Sequence, residues 1–205
     1  MQESVVVGAD GIARCPWGDS PPEYRAYHDL EWGRPVGDEA RIFEKLCLEG
    51  FQSGLSWLTI LRKREAFRKA FRGFDPEIVA QFDERDVERL LSDAGIVRHR
   101  GKIEATIRNA GATVELRRGG GSLAVLLWQH EPKTPSVPSA LSQLAAQTAE
   151  SQALSGELRR AGFRFVGPTT VYAAMQSLGV VNDHFIDCEF RAEAERERTG
   201  FRRPS

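Results

Sequence analysis

The stretch Leu90–Ile103, Leu-Leu-Ser-Asp-Ala-Gly-Ile-Val-Arg-His-Arg-Gly-Lys-Ile, limits the fold more than any other part of the chain. Val87, Leu90, Leu91 and Ala94 recur at helical spacing before a break, and Ile103, Ile107, Ala110 and Val114 set up a second apolar stripe after it. The pattern reads as helix, tight turn, helix. Gly95 stands where a helix C-terminus accepts a residue at positive φ. The turn carries Arg98, His99, Arg100 and Lys102. Free backbone N–H groups that open a helix and are ringed by cations suit an anion such as a DNA phosphate. The solvated charges of an ordinary helical hairpin look the same, and the stretch alone does not choose.

The rest of the chain follows the same period. Few segments alternate with period two, so the fold class is all-α. Residues 1–12 read as a flexible N-terminal extension. An aromatic-rich segment follows, with Trp17, Tyr24, Tyr27 and Trp32 among prolines and glycines. Asp38 is placed to cap a helix that turns Ile42, Phe43, Leu46 and Cys47 inward. The glycines of 48–56 predict a bend. A helix over about 57–71 sets Ile60, Leu61, Phe67 and Phe71 against a basic face, and Asp75-Pro76 opens a short helix through Phe82. Beyond the hairpin, a long helix near 102–118 ends at Gly119-Gly120-Gly121-Ser122. A short helix over 123–129, an extended linker over 132–138 and helices over 151–161 and 168–178 complete the pattern. The end of the chain from Glu189, a charged tail over 191–205, is expected to fray.

A chain of 205 residues can bury a full core, consistent with one domain over 13–190. The net charge of −1 excludes global basicity, so DNA binding would need a local patch. The hairpin is one candidate and the run Arg62–Arg72 another. No apolar run is long enough to cross a bilayer, and the first residues lack the pattern of a secretory signal. Three scattered cysteines argue against a disulfide scaffold and for a reducing cytoplasm.

Cys188 follows His184 by four residues, with Asn182 or Asp183 placed to cap a helix just ahead. On such a helix both side chains would point one way, as two ligands of one metal do. Cys15 and His28 supply two more groups, and Cys2His2 is the usual closed set of structural zinc. One pair lies near each end of the chain, so the ion would clip the two ends together. Two unrelated buried cysteines and two hydrogen-bonded histidines remain the alternative on spacing alone.

Six motifs then carry a resemblance. They are Cys15-x-Trp17, Tyr24-x-x-Tyr27-His28-Asp29-x-Glu31-Trp32-Gly33, Leu48-Glu49-Gly50-x-Gln52-x-Gly54-Leu55-Ser56-Trp57, Asp93 through Ile103, Gly162 through Gly167, and Val181-Asn182-Asp183-His184-x-x-x-Cys188. Together they closely resemble the bacterial DNA-3-methyladenine glycosylase I family, over about residues 14–188. The resemblance implies a helix-hairpin-helix DNA glycosylase fold and one structural zinc ion held by Cys15, His28, His184 and Cys188. It implies excision of 3-methyladenine from alkylated double-stranded DNA, with the free base as product; a small enzyme that scans DNA is expected to work as a monomer.

Methylation at N3 makes the adenine cationic and weakens its bond to deoxyribose. The base must be flipped out of the helix before it is read. A cationic base calls for π faces and a carboxylate. By resemblance, Glu49 is the base-reading and catalytic carboxylate and Trp57 the stacking residue. Tyr27, Tyr24, Trp17 and Trp32 line the pocket. Gly54 and Leu55 fill the gap left by the flipped base, and Gly95, Arg98, Arg100 and Lys102 face DNA phosphates. Phe51 departs from the family pattern beside Glu49, where it can reshape the pocket rim. The wider superfamily's aspartate beyond the hairpin is missing from Gly119–Ser122, and no lysine occupies the lyase position. Both absences point to a monofunctional, hydrolytic enzyme. The missing aspartate also leaves open a zinc-stabilised module that binds damage without releasing the base. The near-zero net charge leaves open an interaction domain with no DNA role.

Overall fold

The computed structural model describes residues 4–205. Two short strands, β1 (Val6–Val7) and β2 (Ala13–Arg14), pair antiparallel with Val6 opposite Arg14. The helices follow in the order α1 (Pro22–Leu30), α2 (Glu39–Gln52), α3 (Trp57–Ala70), α4 (Pro76–Val79), α5 (Glu84–Ser92), α6 (Arg100–Arg118), α7 (Leu123–Trp128), α8 (Ala149–Arg160), α9 (Pro168–Ser177) and α10 (Glu189–Gly200). No helix among the described residues is long and apolar enough to cross a membrane.

Local chemistry starts most of these helices. Side chains of Asp38, Ser56, Asp75, Asp83 and Ser122 each accept from a backbone N–H in the first turn of the helix they precede. Thr148 and Ser151 cap α8 reciprocally, so that helix begins two residues earlier than its apolar pattern announces. His99 caps α6 through Nδ1, 3.3 Å from the Lys102 N–H.

The α2 helix is the central strut, packed on α3, α6, α7 and α9. Ile42, Phe43, Leu46, Leu48 and Phe51 are buried along it. Phe51, Phe67, Phe71 and Phe74 form a contiguous aromatic core, with Phe51 and Phe67 centroids 4.6 Å apart. Each such ring, taken fully out of water, contributes roughly 1.5–3 kcal/mol. Phe51 therefore sits in the phenylalanine core and does not shape a pocket rim, as its neighbour Glu49 had suggested.

Both chain ends are more ordered than composition predicts. Of the extension 1–12, residues 1–3 lie outside the described residues, and the rest forms the β1–β2 hairpin and its turn. Arg14, only 2% exposed, anchors it by pairing with Asp10 and Asp29. The expected tail is the helix α10. Its Ala194 is buried, and Arg198 donates to the carbonyls of Gly179 (2.7 Å) and Val180 (3.0 Å). Charge density alone hides this, because a buried arginine reads like a solvated one until its acceptors are known.

Gly95 is also used differently than expected. Its φ is not positive; instead a Cβ there would stand 3.0 Å from Ala66 Cβ and 2.9 Å from Asp93 Oδ1. Glycine is needed for close approach of the hairpin to α3. Gly179 needs both freedoms. Its φ is +69°, and a Cβ would fall 2.4–2.6 Å from the backbone of Arg34 and Pro35. The strap 33–36 crosses the end of α9 there, through Gly33 N–H to Gln176 O and Val36 N–H to Leu178 O. Gly179→Ala is expected to cost about 3 kcal/mol or more, from strain and forced backbone separation. An unchanged denaturation midpoint in that variant would show that the strap yields freely.

Candidate base pocket and metal centre

Cys15, His28, His184 and Cys188 converge although the first and last elements of the fold supply them. Their ligand atoms all lie within 4.8 Å of one another, and all four residues are buried. Cys188 Sγ is 3.5 Å from His184 Nδ1 and 3.7 Å from His28 Nε2, and Cys15 Sγ is 3.9 Å from His184 Nδ1. Sulfur and nitrogen ligands of one tetrahedral ion stand about 3.5 Å apart. The four residues could therefore hold a metal ion with little movement.

The outer contacts fix which ring atoms face inward. His184 Nε2 is 3.1 Å from the Trp32 carbonyl, and His28 Nδ1 is 2.8 Å from Asp29 Oδ1. That carboxylate also takes the Arg14 guanidinium. Such partners orient metal-binding imidazoles. Hydrogen bonding from Cys15, His184 and His28 holds the Cys188 thiol well below the ordinary thiol range. Sharing with Cys188 and burial push Cys15 up.

The helix expected to carry His184 and Cys188 does not exist. Cys188 is the N-cap of α10, and residues 182–188 are non-helical, with a turn at 186–187. Arg191 satisfies the carbonyls of Asn182 and His184, and Asn182 Nδ2 donates back to Arg191 O at 3.1 Å. These side chains replace helical hydrogen bonds, and a turn ending in the Cys188 N–H to Phe185 O bond returns the thiol to the histidine.

The aromatic residues gather beside this cluster. Trp17, Tyr24, Tyr27, Trp32, Glu49 and Trp57 line a cavity of about 250 Å³. Trp17 meets Trp32 and Tyr24 edge-on, with centroids 4.9 and 5.9 Å away, and Tyr27 lies 5.4 Å from Trp57. The Tyr24 hydroxyl accepts from the Leu58 N–H and ties α1 to the start of α3. Glu49 is 6% exposed on an otherwise apolar stretch of α2. Gln52, Leu144, Ala173 and Gln176 complete the lining, and the sequence reading missed all four. Gln176 Nε2 donates to Asp183 Oδ2, which also accepts from the Tyr172 hydroxyl, so the residue beside His184 steadies Gln176 in the cavity lining.

Lys45 was missed as well. Its Nζ is 2.9 Å from Glu49 Oε1, 2.6 Å from the Tyr27 hydroxyl and 3.4 Å from the centroid of the Trp57 ring. Burial pulls its pKa below the usual lysine range against the opposing pull of Glu49. Burial and the charge of Glu49 push the Tyr27 phenol well above its usual value. The signal that could have found Lys45 is its position one helical turn before Glu49.

The residues expected to face DNA divide. Gly54, at φ +80°, and Leu55, 42% exposed, form an open tip after α2. Arg98 is exposed in the hairpin turn and has no side-chain partner among the described residues. Arg100 is exposed but paired with Glu84 and Glu104. Lys102 is 7% exposed, and its Nζ donates to the carbonyls of Phe51 (2.8 Å) and Ser53 (2.6 Å). It caps the C-terminus of α2 rather than facing a phosphate. Most of the basic run Arg62–Arg72 is committed internally: Arg62 pairs with Glu23, Arg64 with Glu31, Arg68 with Glu44, and Lys63 reaches the carbonyls of Ala94 and Gly95, while Lys69 and Arg72 are exposed.

The helical body thus carries an aromatic, carboxylate-bearing cavity and, beside it, a buried Cys2His2 cluster. The model of the methyladenine glycosylase family matches residues 17–192. DNA-3-methyladenine glycosylase 1 of Escherichia coli (strain K12) is 49% identical over 179 residues, spanning 86% of this chain and 96% of that protein. DNA-3-methyladenine glycosylase of Haemophilus influenzae (strain ATCC 51907 / DSM 11121 / KW20 / Rd) is 44% identical over 178 residues, or 85% and 96%. A solved structure that describes 3-methyladenine recognition by 3-methyladenine DNA glycosylase I from Staphylococcus aureus superposes with a TM-score of 0.82 at 36% identity, covering 87% of this chain and 96% of that one. The chain belongs to the methyladenine glycosylase family.

Cys188→Ala is expected to lose bound metal and several kcal/mol of stability, since ligand binding energy at such a site is folding energy. Metal analysis of the purified variant checks this, and an unchanged metal content would remove Cys188 from the ligand set.

Proposed function

We propose that this protein is a monofunctional glycosylase that flips 3-methyladenine out of alkylated duplex DNA and hydrolyses its bond to deoxyribose, leaving an abasic site. The observation that carries this reading is the buried Glu49 carboxylate among five aromatic side chains around one cavity. A purine with a positive charge spread over its rings is attracted to aromatic faces, and its exocyclic amino group can donate to a carboxylate. Burial of the Glu49 carboxylate strengthens its interaction with a cation. The N3-methylated base is already a good leaving group, so recognition and exclusion of water supply most of what the reaction asks of the protein. The C1′–N9 bond breaks with its electron pair passing to the base, and water adds to C1′ and releases a proton.

The position of Lys102 supports a hydrolytic rather than a lyase reaction. Its ammonium is tied to two carbonyls at the end of α2 and is not available to attack a sugar. The open Gly54-Leu55 tip is suited to fill the space of the flipped nucleotide, and Arg98 to contact a phosphate. We assign zinc to the Cys2His2 cluster, because two thiols and two imidazoles in a closed, buried tetrahedral set match its structural sites. There the ion would hold the N- and C-terminal segments together, and the residues between its ligands would set the pocket wall.

Chromatography of bases released from methylated duplex DNA tests the reading directly. Release of 3-methyladenine with little 7-methylguanine is the expected result; no release by intact, metal-loaded protein would make the pocket a binding module. Glu49→Gln is expected to lower release by about 10- to 100-fold, the worth of one charge-assisted hydrogen bond in a buried site. Arg98→Ala is expected to reduce the salt dependence of duplex binding by about one counterion, whereas Lys102→Met lowers thermal stability and leaves that slope unchanged. Reversed outcomes for these two variants would restore Lys102 as the phosphate contact.

A further inference from the structure

Lys45 lies on the same helical face as Glu49, and its side chain is only 11% exposed. Its ammonium takes three things that a cationic base would also use: the Glu49 carboxylate, the Tyr27 hydroxyl and a face of the Trp57 ring. Yet Lys45 does not line the 250 Å³ cavity. It lines a separate cavity of about 50 Å³ that shares the Tyr27 and Trp57 walls. The ammonium thus meets the Trp57 ring from the side of the smaller cavity. Glu44, Glu31, Arg41, Arg64 and Arg68 border this smaller cavity. Glu31 and Glu44 are matched to Arg64 and Arg68, which leaves Lys45 and Glu49 as a pair.

The geometry points to Lys45 as a positioning residue, a fixed cation that offsets part of the attraction of Glu49 and the aromatic walls for the bound cationic nucleotide and so favours the neutral departing base. The inference rests on the glycosylase reading above. A base stacked on Trp57 from the side of the larger cavity would lie about 7 Å from the ammonium, where two unit charges in partly buried surroundings still alter affinity on the order of tenfold. The alkylated nucleotide is cationic. When its glycosidic bond breaks, the bonding pair neutralises the base and the positive charge passes to the deoxyribose, away from Lys45. An ammonium beside Trp57 therefore disfavours the bound substrate more than the transition state. Only such a difference accelerates the chemical step. Glu49 supplies directional hydrogen bonding, and Lys45 removes the excess attraction that would hold a cation without letting it react.

The test compares wild type, Lys45→Met, which keeps length and removes charge, and Lys45→Arg, which keeps charge. The probes are free 3-methyladenine, neutral at mildly alkaline pH, and the 3,9-dimethyladeninium ion, which is permanently cationic and has no glycosidic bond. Lys45→Met is expected to bind the cation on the order of tenfold more tightly, with affinity for the neutral base unchanged. The same variant should release 3-methyladenine from methylated duplex more slowly in single turnover, with a lower KM. Lys45→Arg should keep the wild-type ratio of the two affinities. Equal weakening of both bases in Lys45→Met, or an unchanged ratio, would reduce Lys45 to a packing residue and overturn the inference. Wild-type protein that binds neither base would overturn the glycosylase reading itself, a result separable from either of these.

Discussion

The convergence of Cys15, His28, His184 and Cys188 is the constraint on which the pocket depends. The four groups alternate in sequence with pocket residues: Cys15 precedes Trp17, Tyr27 precedes His28, and the His184 imidazole is held against the carbonyl of Trp32. Trp17 and Trp32 thus stand on turns beside the cluster, and Tyr24 and Tyr27 on the short helix α1 that carries His28. Arg14 and Asp29 extend the same network outward, with Asp29 joining the guanidinium to the His28 ring. A single buried centre does for this aromatic lobe what the phenylalanine core does for the helical body.

The second support is α2. It carries the core on one side, Lys45 and Glu49 toward the aromatic lobe, and at its C-terminus the carbonyls that Lys102 caps. The hairpin therefore connects mechanically to the helix that presents the carboxylate, and beyond it to the Gly54-Leu55 tip. The α9 helix braces the other side through Gln176 and Asp183. The carboxylate is presented by a helix packed on four others rather than by a loop, the rigidity that a preorganised site requires.

Much of this was legible in the sequence, and the exceptions have physical causes. Capping residues such as Asp38, Ser56 and Asp83 act within one turn, so the chain announces them locally. The family motifs carried the pocket aromatics, Glu49 and the four metal-binding candidates, and the structure brings all ten together around one cavity and one cluster. What stayed hidden depends on contacts between distant segments. Lys102 reads as a surface cation until the carbonyls of Phe51 and Ser53 are placed beside it. Gly95 reads as a helix terminator, but the approach of Ala66 is what demands it. The expected helix over His184 and Cys188 failed because Arg191, outside the motif, satisfies that backbone. Lys45 and α10 were passed over because charged residues on helices are usually solvated, and nothing short of their partners says otherwise.

The near-neutral charge of the chain takes on a different meaning once its cations are traced. Arg14, Lys45, Lys102 and Arg198 serve as interior struts, and on the surface Arg62, Arg68, Arg100 and Arg118 are each matched by a carboxylate. On the glycosylase reading proposed above, cations already matched by carboxylates would add little to the hold on undamaged DNA. Long residence would then be reserved for sites where a base has entered the pocket, so that the time spent on each stretch of the genome is set by the lesion rather than by the phosphate backbone.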